Sequence, residues 1–414
     1  MSEIEFYSDR TPIEHIDQSL LAVLQEQGLG KTKEKQRVHF CGLVLTQDGK
    51  ACVFLPQSMQ DKNELSARLT MKALAKFGSE TSNREQQDSG NDLNTGYLAT
   101  IANITEDFKS NGLYLERIKR QTRNRGKIDW RRTIADDNGI IFDQGPVYTN
   151  FITTVGSNNS ANILASVQAF VISEIQSRHG WWIPNIRSRK FEIANISISK
   201  AISRRNLIKQ LERNLSTLFS NRAIRLSKWL ISYLKNETGA SSGSYIFGVQ
   251  DFQTVWEVML RSTLINVEHG WNSKLAQPAY GNKKGGISKV KNRGLRTDII
   301  VRHRKGHAII DAKYYAARDA SNAPSVSDFA KQILYETVLR AELGSDHEIR
   351  NMFVFPSSVD GDGELTDMFM LRKNDMRITD IPAVECRYLS VSEVMHAYCQ
   401  KLTRRELNES LGLC

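Results

Sequence analysis

The sequence predicts a mixed α/β fold, in which a β-containing N-terminal region and a helical middle region precede a C-terminal domain with a mixed sheet flanked by helices. Two observations predict it. Apolar, β-branched runs joined by the turn-rich TQDGK indicate a β-hairpin over residues 38–56. After residue 244, helical and strand patterns alternate. With 414 residues, the chain is longer than a single core usually serves, so we expect two or three domains.

Shifts in composition divide the chain into three predicted segments. We expect an N-terminal domain over residues 1–155 that interacts with a partner or with DNA, and a helical linker region over 156–240. Residues 199–235 place apolar side chains at helical spacing among many Arg and Lys residues, which indicates one or two amphipathic helices. Residues 236–244 are rich in Gly and Ser, so the C-terminal domain is predicted to occupy residues 241–414.

The chain is basic. Its 56 Lys and Arg residues exceed its 46 Asp and Glu residues, and the net charge of +10 favours binding to a polyanion. Charge alone leaves open a basic protein that binds no nucleic acid. After a predicted helix over residues 98–118, the stretch RIKRQTRNRGKIDWRR at 117–132 is either a phosphate-binding surface with Trp130 as a stacking platform, or a solvated helix end and loop.

Cysteine usage and hydropathy indicate the cellular location. The five cysteines are scattered and lack the spacing of a zinc site, so we expect them to be reduced. The first residues do not resemble a signal peptide, and no stretch approaches the roughly 18 apolar residues of a membrane span. We therefore expect a cytoplasmic protein that does not contact a membrane.

Acidic side chains and a lysine occur on predicted buried elements of the C-terminal domain. A helix over residues 251–264 has Glu257 at the edge of its apolar stripe, and strands are predicted over 295–301 and 308–315. Asp298 lies at the centre of the first strand. On the second strand, Asp311 and Lys313 point to one face and Ala312 to the other. Burying these charges is costly unless they are paired or bind a metal.

Metal-assisted phosphodiester hydrolysis uses such a set of groups. Asp298 and Asp311, with the backbone carbonyl of Ala312, offer hard oxygen ligands to Mg²⁺. Lys313 would orient or help deprotonate the attacking water and offset charge on the phosphate, and Glu257 would hold a second metal or a metal-bound water. The alternative is a buried Asp311–Lys313 salt bridge with an unrelated aspartate opposite.

The next predicted helix contributes two further candidates. In SVSDFAKQILYETVLRAEL, residues 325–343, Gln332 and Tyr335 share one face, and both are candidates to reach the active site or the DNA backbone. A plain polar helix face is the alternative. The strands and helices that follow extend the alternation, which favours a mixed sheet flanked by helices.

The residues Thr297-Asp298 and Asp311-Ala312-Lys313 resemble the motif of the PD-(D/E)xK nuclease superfamily. The Glu257 helix, the strand hairpin and the Gln332 helix occur in the order of that superfamily. Within it, LRTDIIV and AIIDAKYY, preceded by VWEVML, resemble the McrC subunit of McrBC-type restriction systems and the LlaJI-type restriction endonucleases. Two departures are Thr297 in place of proline and a Gln332–Tyr335 spacing one residue shorter than QxxxY.

The resemblance implies a Mg²⁺-dependent endonuclease that cuts double-stranded DNA in an anti-phage restriction system, with Mn²⁺ as a possible substitute metal. It also implies an AAA+ GTPase or ATPase partner similar to McrB, because the chain has no GxxxxGK[ST] phosphate loop. The alternatives are a stand-alone restriction or repair nuclease, and a non-catalytic subunit that binds DNA or regulates a motor.

Overall fold

The structure is a computed structural model, and it describes fourteen parts of the chain: residues 4–26, 29, 37–46, 50–81, 92–93, 95–114, 116–136, 139–159, 163–183, 203–239, 245–290, 294–344, 347–359 and 363–414. No helix within these parts is long and apolar enough to cross a membrane. The chain divides into two compact units, one of residues 1–99 with 240–414 and one of residues 100–239. One limit of this division lies between residues 239 and 240, and the predicted domain limits at 155 and 240 stay predictions.

The described helices are, in chain order, α1 (Gln18–Glu26), α2 (Glu64–Thr81), α3 (Thr95–Asn111), α4 (Trp130–Asp136), α5 (Ile163–His179), α6 (Arg204–Leu215), α7 (Asn221–Gly239), α8 (Gln253–Thr263), α9 (Trp271–Lys274), α10 (Val326–Leu343), α11 (Val391–Gln400) and α12 (Arg405–Ser410).

The described strands are β1 (Ile4–Ser8), β2 (Cys41–Leu45), β3 (Ala51–Leu55), β4 (Asp92–Leu93), β5 (Glu116–Arg123), β6 (Lys127–Ile128), β7 (Ile140–Phe142), β8 (Gly145–Val147), β9 (Ile152–Asn159), β10 (Tyr245–Val249), β11 (Ala279–Gly281), β12 (Ile287–Lys289), β13 (Ile299–His303), β14 (Gly306–Ala312), β15 (Glu348–Ser357), β16 (Asp367–Met368) and β17 (Val384–Ser390).

The first unit contains an N-terminal sheet with the strand order β1-β3-β2-β10-β4. Strands β2 and β3 are antiparallel neighbours, so the predicted hairpin is confirmed. Strand β10 follows the predicted boundary at residue 240, yet it pairs with β2 and places Gly248 opposite Gly42. A Cβ on Gly42 would lie 2.1 Å from the carbonyl oxygen of Phe247, so the close approach of the two strands requires glycine.

The C-terminal sheet of the same unit has the order β13-β14-β15-β17-β16. Strands β13 and β14 form an antiparallel hairpin, β14, β15 and β17 run parallel, and β16 is an antiparallel edge strand. Helices α8 and α10 contact β14, and α11 contacts β17. Phe329 of α10 packs in one core cluster with Phe353 and Phe355 of β15. The predicted mixed sheet flanked by helices is therefore confirmed.

The second unit has a three-stranded sheet of order β5-β9-β6, the hairpin β7–β8 and the helices α5, α6 and α7. The predicted helical middle region is confirmed. The helix predicted over residues 98–118 is wrong at its end, because α3 stops at Asn111 and β5 begins at Glu116. Gly112 has φ +72° and its N–H donates to the Phe108 carbonyl, which ends the helix. The basic stretch 117–132 therefore lies mainly on β5 and β6.

Candidate active site

The β13–β14 hairpin places Asp298 beside Asp311. Strand β13 begins at Ile299, so Asp298 precedes the strand and does not lie at its centre as predicted. The backbone N–H of Ala312 donates to Asp298 Oδ2 at 3.0 Å. The chain just before the strand is held from outside the sheet, since Arg261 Nη2 donates to the Asp298 carbonyl at 2.8 Å and Thr297 N donates to Asn272 Oδ1 at 2.9 Å.

Lys313 projects to the same face as Asp311, as the strand period predicts. Its Nζ lies 3.0 Å from Asp311 Oδ2 and donates to Asp328 Oδ1 on α10 at 2.9 Å. Ala312 points to the other face and is fully buried. The backbone N–H of Lys313 donates to the carbonyl of Val354 at 3.0 Å, so pairing with β15 continues one residue beyond β14. Lys313 is thus held by two carboxylates and by the sheet.

The acidic side chains at this site are partly buried and lie close enough to affect one another. Burial, followed by the nearby charges of Glu257 and Asp311, raises the pKa of Asp298 to about 8, although the Ala312 N–H opposes the shift. Burial also raises the pKa of Glu257, and Asp311 adds to this shift. The three carboxylates on α8, β14 and the start of β13 therefore repel one another, and a cation among them would relieve that repulsion.

Lys313 carries the compensating positive charge. Burial alone would lower its pKa, but Asp311 and Asp328 reverse this effect and raise the pKa above its ordinary value. Burial would likewise raise the pKa of Asp328, yet hydrogen bonds from Ser325 and Lys313 bring it down to about 2. In this arrangement Lys313 is an ammonium ion and acts as a proton donor in hydrogen bonds, so it is not a free base.

The two candidates on α10 differ in their surroundings. Gln332 is 1% exposed, and its backbone carbonyl accepts a hydrogen bond of 2.7 Å from Asn351 Nδ2. Its Oε1 has no hydrogen-bond partner in the part of the chain that the structure describes. Tyr335 is half-buried, and burial with the charges of Asp298 and Asp311 raises its pKa, although the backbone of Arg296 opposes the shift. The charges of Asp298 and Asp311 therefore act on the Tyr335 hydroxyl, whereas Gln332 is buried where α10 packs against β15.

Comparison with known proteins identifies the family. The model of the LlaJI restriction endonuclease family matches residues 40–392, which is most of the chain and includes every predicted site residue. The chain belongs to the LlaJI restriction endonuclease family. The predicted family is thereby confirmed, and this LlaJI-family chain is a nuclease of a restriction system.

Two solved structures resemble the LlaJI-family chain. One is a refined half-complex from a tetradecameric assembly of Thermococcus gammatolerans McrB AAA+ hexamers with bound McrC, at 13% identity and a TM-score of 0.42 over 97% of this chain and 99% of the other. The second is the Thermococcus gammatolerans McrBC complex, at 11% identity and a TM-score of 0.29 over 62% of this chain and 86% of the other. No similar sequence was found among the curated proteins.

The sequence did not predict three contacts at the site, although Asp328 shares its helix face with Gln332 and Tyr335. Arg261 and Asn272 bind backbone groups of residues 297 and 298, and Asp328 binds Lys313. Asp328 had a local signal, since Ser325 and Asp328 form a capping box at the start of α10. Its contact with Lys313 joins residues 15 positions apart on different elements, and no local pattern predicts that contact.

Proposed function

We propose that this LlaJI-family chain is a Mg²⁺-dependent endonuclease that cuts double-stranded DNA, with its active site at the start of β13 and the end of β14. One observation carries the proposal: Asp298 and Asp311 lie together, partly buried, with the Lys313 ammonium 3.0 Å from Asp311. Metal-assisted phosphodiester hydrolysis can use such carboxylates as ligands of the ion and the positive donor to stabilise charge on the phosphate. A salt bridge unrelated to Asp298 does not explain the raised pKa of Asp298.

The donor set fits a hard divalent cation. In the described parts of the chain, no group of three or more His, Cys, Asp or Glu side chains has the arrangement of a metal site. Mg²⁺ usually takes one or two carboxylates and keeps several waters, so Asp298, Asp311 and the carbonyl of Ala312 are a sufficient set. Mn²⁺, which prefers similar oxygen ligands, would substitute. The bound ion would supply an activated water and stabilise negative charge on the phosphate.

The surrounding side chains have distinct roles in this proposal. Lys313 donates a hydrogen bond to a non-bridging phosphate oxygen and offsets the charge that builds on it. Glu257, whose pKa is raised by burial, accepts a proton or orients a water next to the carboxylates. Gln332 supports α10 against β15 through its backbone contact with Asn351, and this keeps Asp328 against Lys313. Asp328 is the residue that positions Lys313.

The proposal includes an AAA+ GTPase or ATPase partner in a cytoplasmic anti-phage restriction system. Two observations support it: the chain resembles McrC in its nuclease motifs, and it has no GxxxxGK[ST] phosphate loop to bind a nucleotide. We expect an AAA+ protein encoded in the adjacent reading frame to co-purify with the full chain when GTP or ATP is present. An isolated reading frame favours a stand-alone nuclease.

Cleavage of supercoiled plasmid tests the nuclease assignment. The full chain, co-expressed with the adjacent reading frame, is expected to cut with Mg²⁺ and to stop when EDTA is added. Asp311→Asn and Lys313→Met are expected to abolish cutting, while the exposed Asp380→Asn retains it. Unchanged cutting by Asp311→Asn and Lys313→Met, with folding intact by circular dichroism, would sink the active-site assignment.

A further inference from the structure

An exposed β-hairpin precedes the candidate active site in the chain. Strands β11 and β12 pair with each other, and their ladder continues through a hydrogen bond from Val290 N–H to the Pro278 carbonyl. All six residues of the two strands are exposed, including Tyr280 at 72% and Ile287 at 77%. In the described part of the chain this hairpin belongs to a two-stranded sheet of its own. We name residues 278–290 the basic hairpin.

The tip of the basic hairpin has a defined shape. Asn282 Oδ1 accepts hydrogen bonds of 2.9 Å from the N–H groups of Lys284 and Gly286, and Asn282 N–H donates to the Gly286 carbonyl at 2.9 Å. Gly285 has φ +78°, a conformation that favours glycine. These contacts present the exposed Lys283 and Lys284 side chains at the end of a ladder about 14 Å long.

The base of the basic hairpin is anchored next to the carboxylates. Asn272 binds the N–H and the carbonyl of Thr297, the residue before Asp298, at 2.9 and 3.3 Å. On either side of the hairpin, Leu275 is buried and Leu295 partly buried in the core cluster that contains Ile300 and Ile309 of the β13–β14 hairpin. The residues that flank the basic hairpin therefore pack in the core beside the segment that positions Asp298.

The segment that contains the basic hairpin carries positively charged side chains and no negatively charged ones. Between Glu268 and Asp298 the sequence has seven Lys and Arg residues and no Asp or Glu. Lys283, Lys284 and Lys289 are exposed on the basic hairpin itself. An uninterrupted positive charge on an exposed two-stranded ribbon complements a polyanion, and a ribbon of this kind fits the major groove of DNA.

We propose that the basic hairpin binds the phosphate backbone of the DNA duplex beside the scissile bond, through Lys283 and Lys284 at its tip. This proposal rests on the proposed nuclease function and assigns its substrate a second contact outside the carboxylate site. Phosphate contacts of this kind fix the register and orientation of the duplex and carry no sequence information of their own. The hairpin would therefore position DNA of any sequence toward Asp298 and Asp311.

The salt dependence of DNA binding tests the proposal. Binding of the full chain to a fluorescent duplex is measured in EDTA, between roughly 50 and 200 mM salt, with wild type and the double variant Lys283→Gln/Lys284→Gln. The control is Arg304→Gln/Lys305→Gln, which removes the same charge from the exposed turn between β13 and β14, at the end of that hairpin away from Asp298 and Asp311. Each lost phosphate contact makes the negative slope of log K against log salt shallower by about 0.9, so the slope of the hairpin variant should be less steep by about 1.8.

Each outcome has a defined meaning. A shallower salt dependence in the hairpin variant and not in the control supports the proposal. An unchanged slope, or equal weakening by both variants, overturns it, while plasmid cutting by wild type leaves the nuclease function standing. Loss of self-association in the hairpin variant with an unchanged slope would assign this surface to a second copy of the chain. If wild type neither binds nor cuts DNA at low salt, the proposed function itself fails.

Discussion

A hydrogen bond of 2.9 Å joins Lys313, the residue after β14, to Asp328 in the first turn of α10. Asp328 has two partners at once, because its Oδ2 accepts from the Ser325 N–H at 3.0 Å and completes the capping box of α10. One carboxylate therefore fixes both the start of the helix and the direction of the lysine. A rigidly held donor loses little freedom when a phosphate arrives, which is the advantage of preorganisation in catalysis.

Asp328→Asn is expected to lower the cleavage rate by about 10- to 100-fold, since the charge that orients Lys313 is lost. Lys313→Arg, which keeps the charge but not the point-like geometry, is expected to cut poorly as well. The two effects should not add in the double variant, because both act through one contact. Single-turnover cleavage measures the rates. Fully additive losses would contradict the positioning role of Asp328.

Ser325→Ala provides the matched control for Asp328. It removes the hydroxyl of the capping box and should cost about 1 kcal/mol of stability. The Ser325 backbone N–H still donates to Asp328, so the contact with Lys313 is retained. We therefore expect a lower unfolding midpoint with near-normal cleavage. A loss of cleavage as large as that of Asp328→Asn would mean that helix stability, and not the Lys313 contact, explains both variants.

The sequence predicted the parts of the site that depend on local periodicity. The period of two in β14 placed Asp311 and Lys313 on one face, and the 3.6-residue period of α8 placed Glu257 at the edge of a buried stripe. The position of Asp298 was predicted less well. The apolar pattern predicts a strand from residue 295, but β13 begins at Ile299, and the backbone N–H of Thr297 before it donates to the Asn272 side chain.

Local sequence patterns do not predict contacts between residues that are far apart in the chain. The strand β10 was not predicted, and its pairing with β2 depends on two glycines about 200 positions apart, Gly42 and Gly248. The stretch at 117–132 has few apolar residues, so its hydropathy does not indicate the strands β5 and β6. The roles of Glu257, Asp298, Asp311, Lys313 and Gln332 in cleavage stay predictions until variants are assayed.

Asp298→Asn is expected to stabilise the metal-free protein and to abolish cleavage. The folded-state pKa of about 8 lies above the ordinary value of 3.8, so folding favours the protonated form and stability falls as pH rises between those values. An asparagine cannot ionise, and its Oδ1 can still accept from the Ala312 N–H. At pH 8 in EDTA, urea unfolding should show a gain of about 1–3 kcal/mol. A less stable variant would contradict the repulsion inferred among the carboxylates.

Mg²⁺ is expected to raise the unfolding temperature of the wild type, because it binds the folded carboxylates and not the unfolded chain. At ten times its Kd, the ion should add about 1.4 kcal/mol of stability. Asp298→Asn and Asp311→Asn should lose this gain, while Asp380→Asn keeps it. Differential scanning calorimetry with Mg²⁺ and with EDTA measures the difference without any DNA. An equal gain in all four proteins would place the bound ion elsewhere.

Asp9 is expected to make the stability of the first unit depend on pH. Its side chain is 5% exposed, accepts a hydrogen bond of 3.1 Å from the Phe40 N–H, and has a pKa that burial raises to about 7. Because the folded state holds this proton more tightly than the unfolded state, the contribution of Asp9 to stability falls as pH rises from about 4 to about 7. The stability of Asp9→Asn relative to wild type should therefore rise over that range.

Urea unfolding at pH 4.5 and 7.5 measures this difference for Asp9→Asn and for Asp17→Asn. Asp17 is the opposite case, since hydrogen bonds from the side chain and the N–H of Ser19 lower its pKa. Its carboxylate is charged in the folded state across the range, so the stability of Asp17→Asn relative to wild type should not rise with pH. No rise for Asp9→Asn would show that Asp9 is not the buried acid that titrates, and an equal rise for Asp17→Asn would show that the effect is not specific to Asp9.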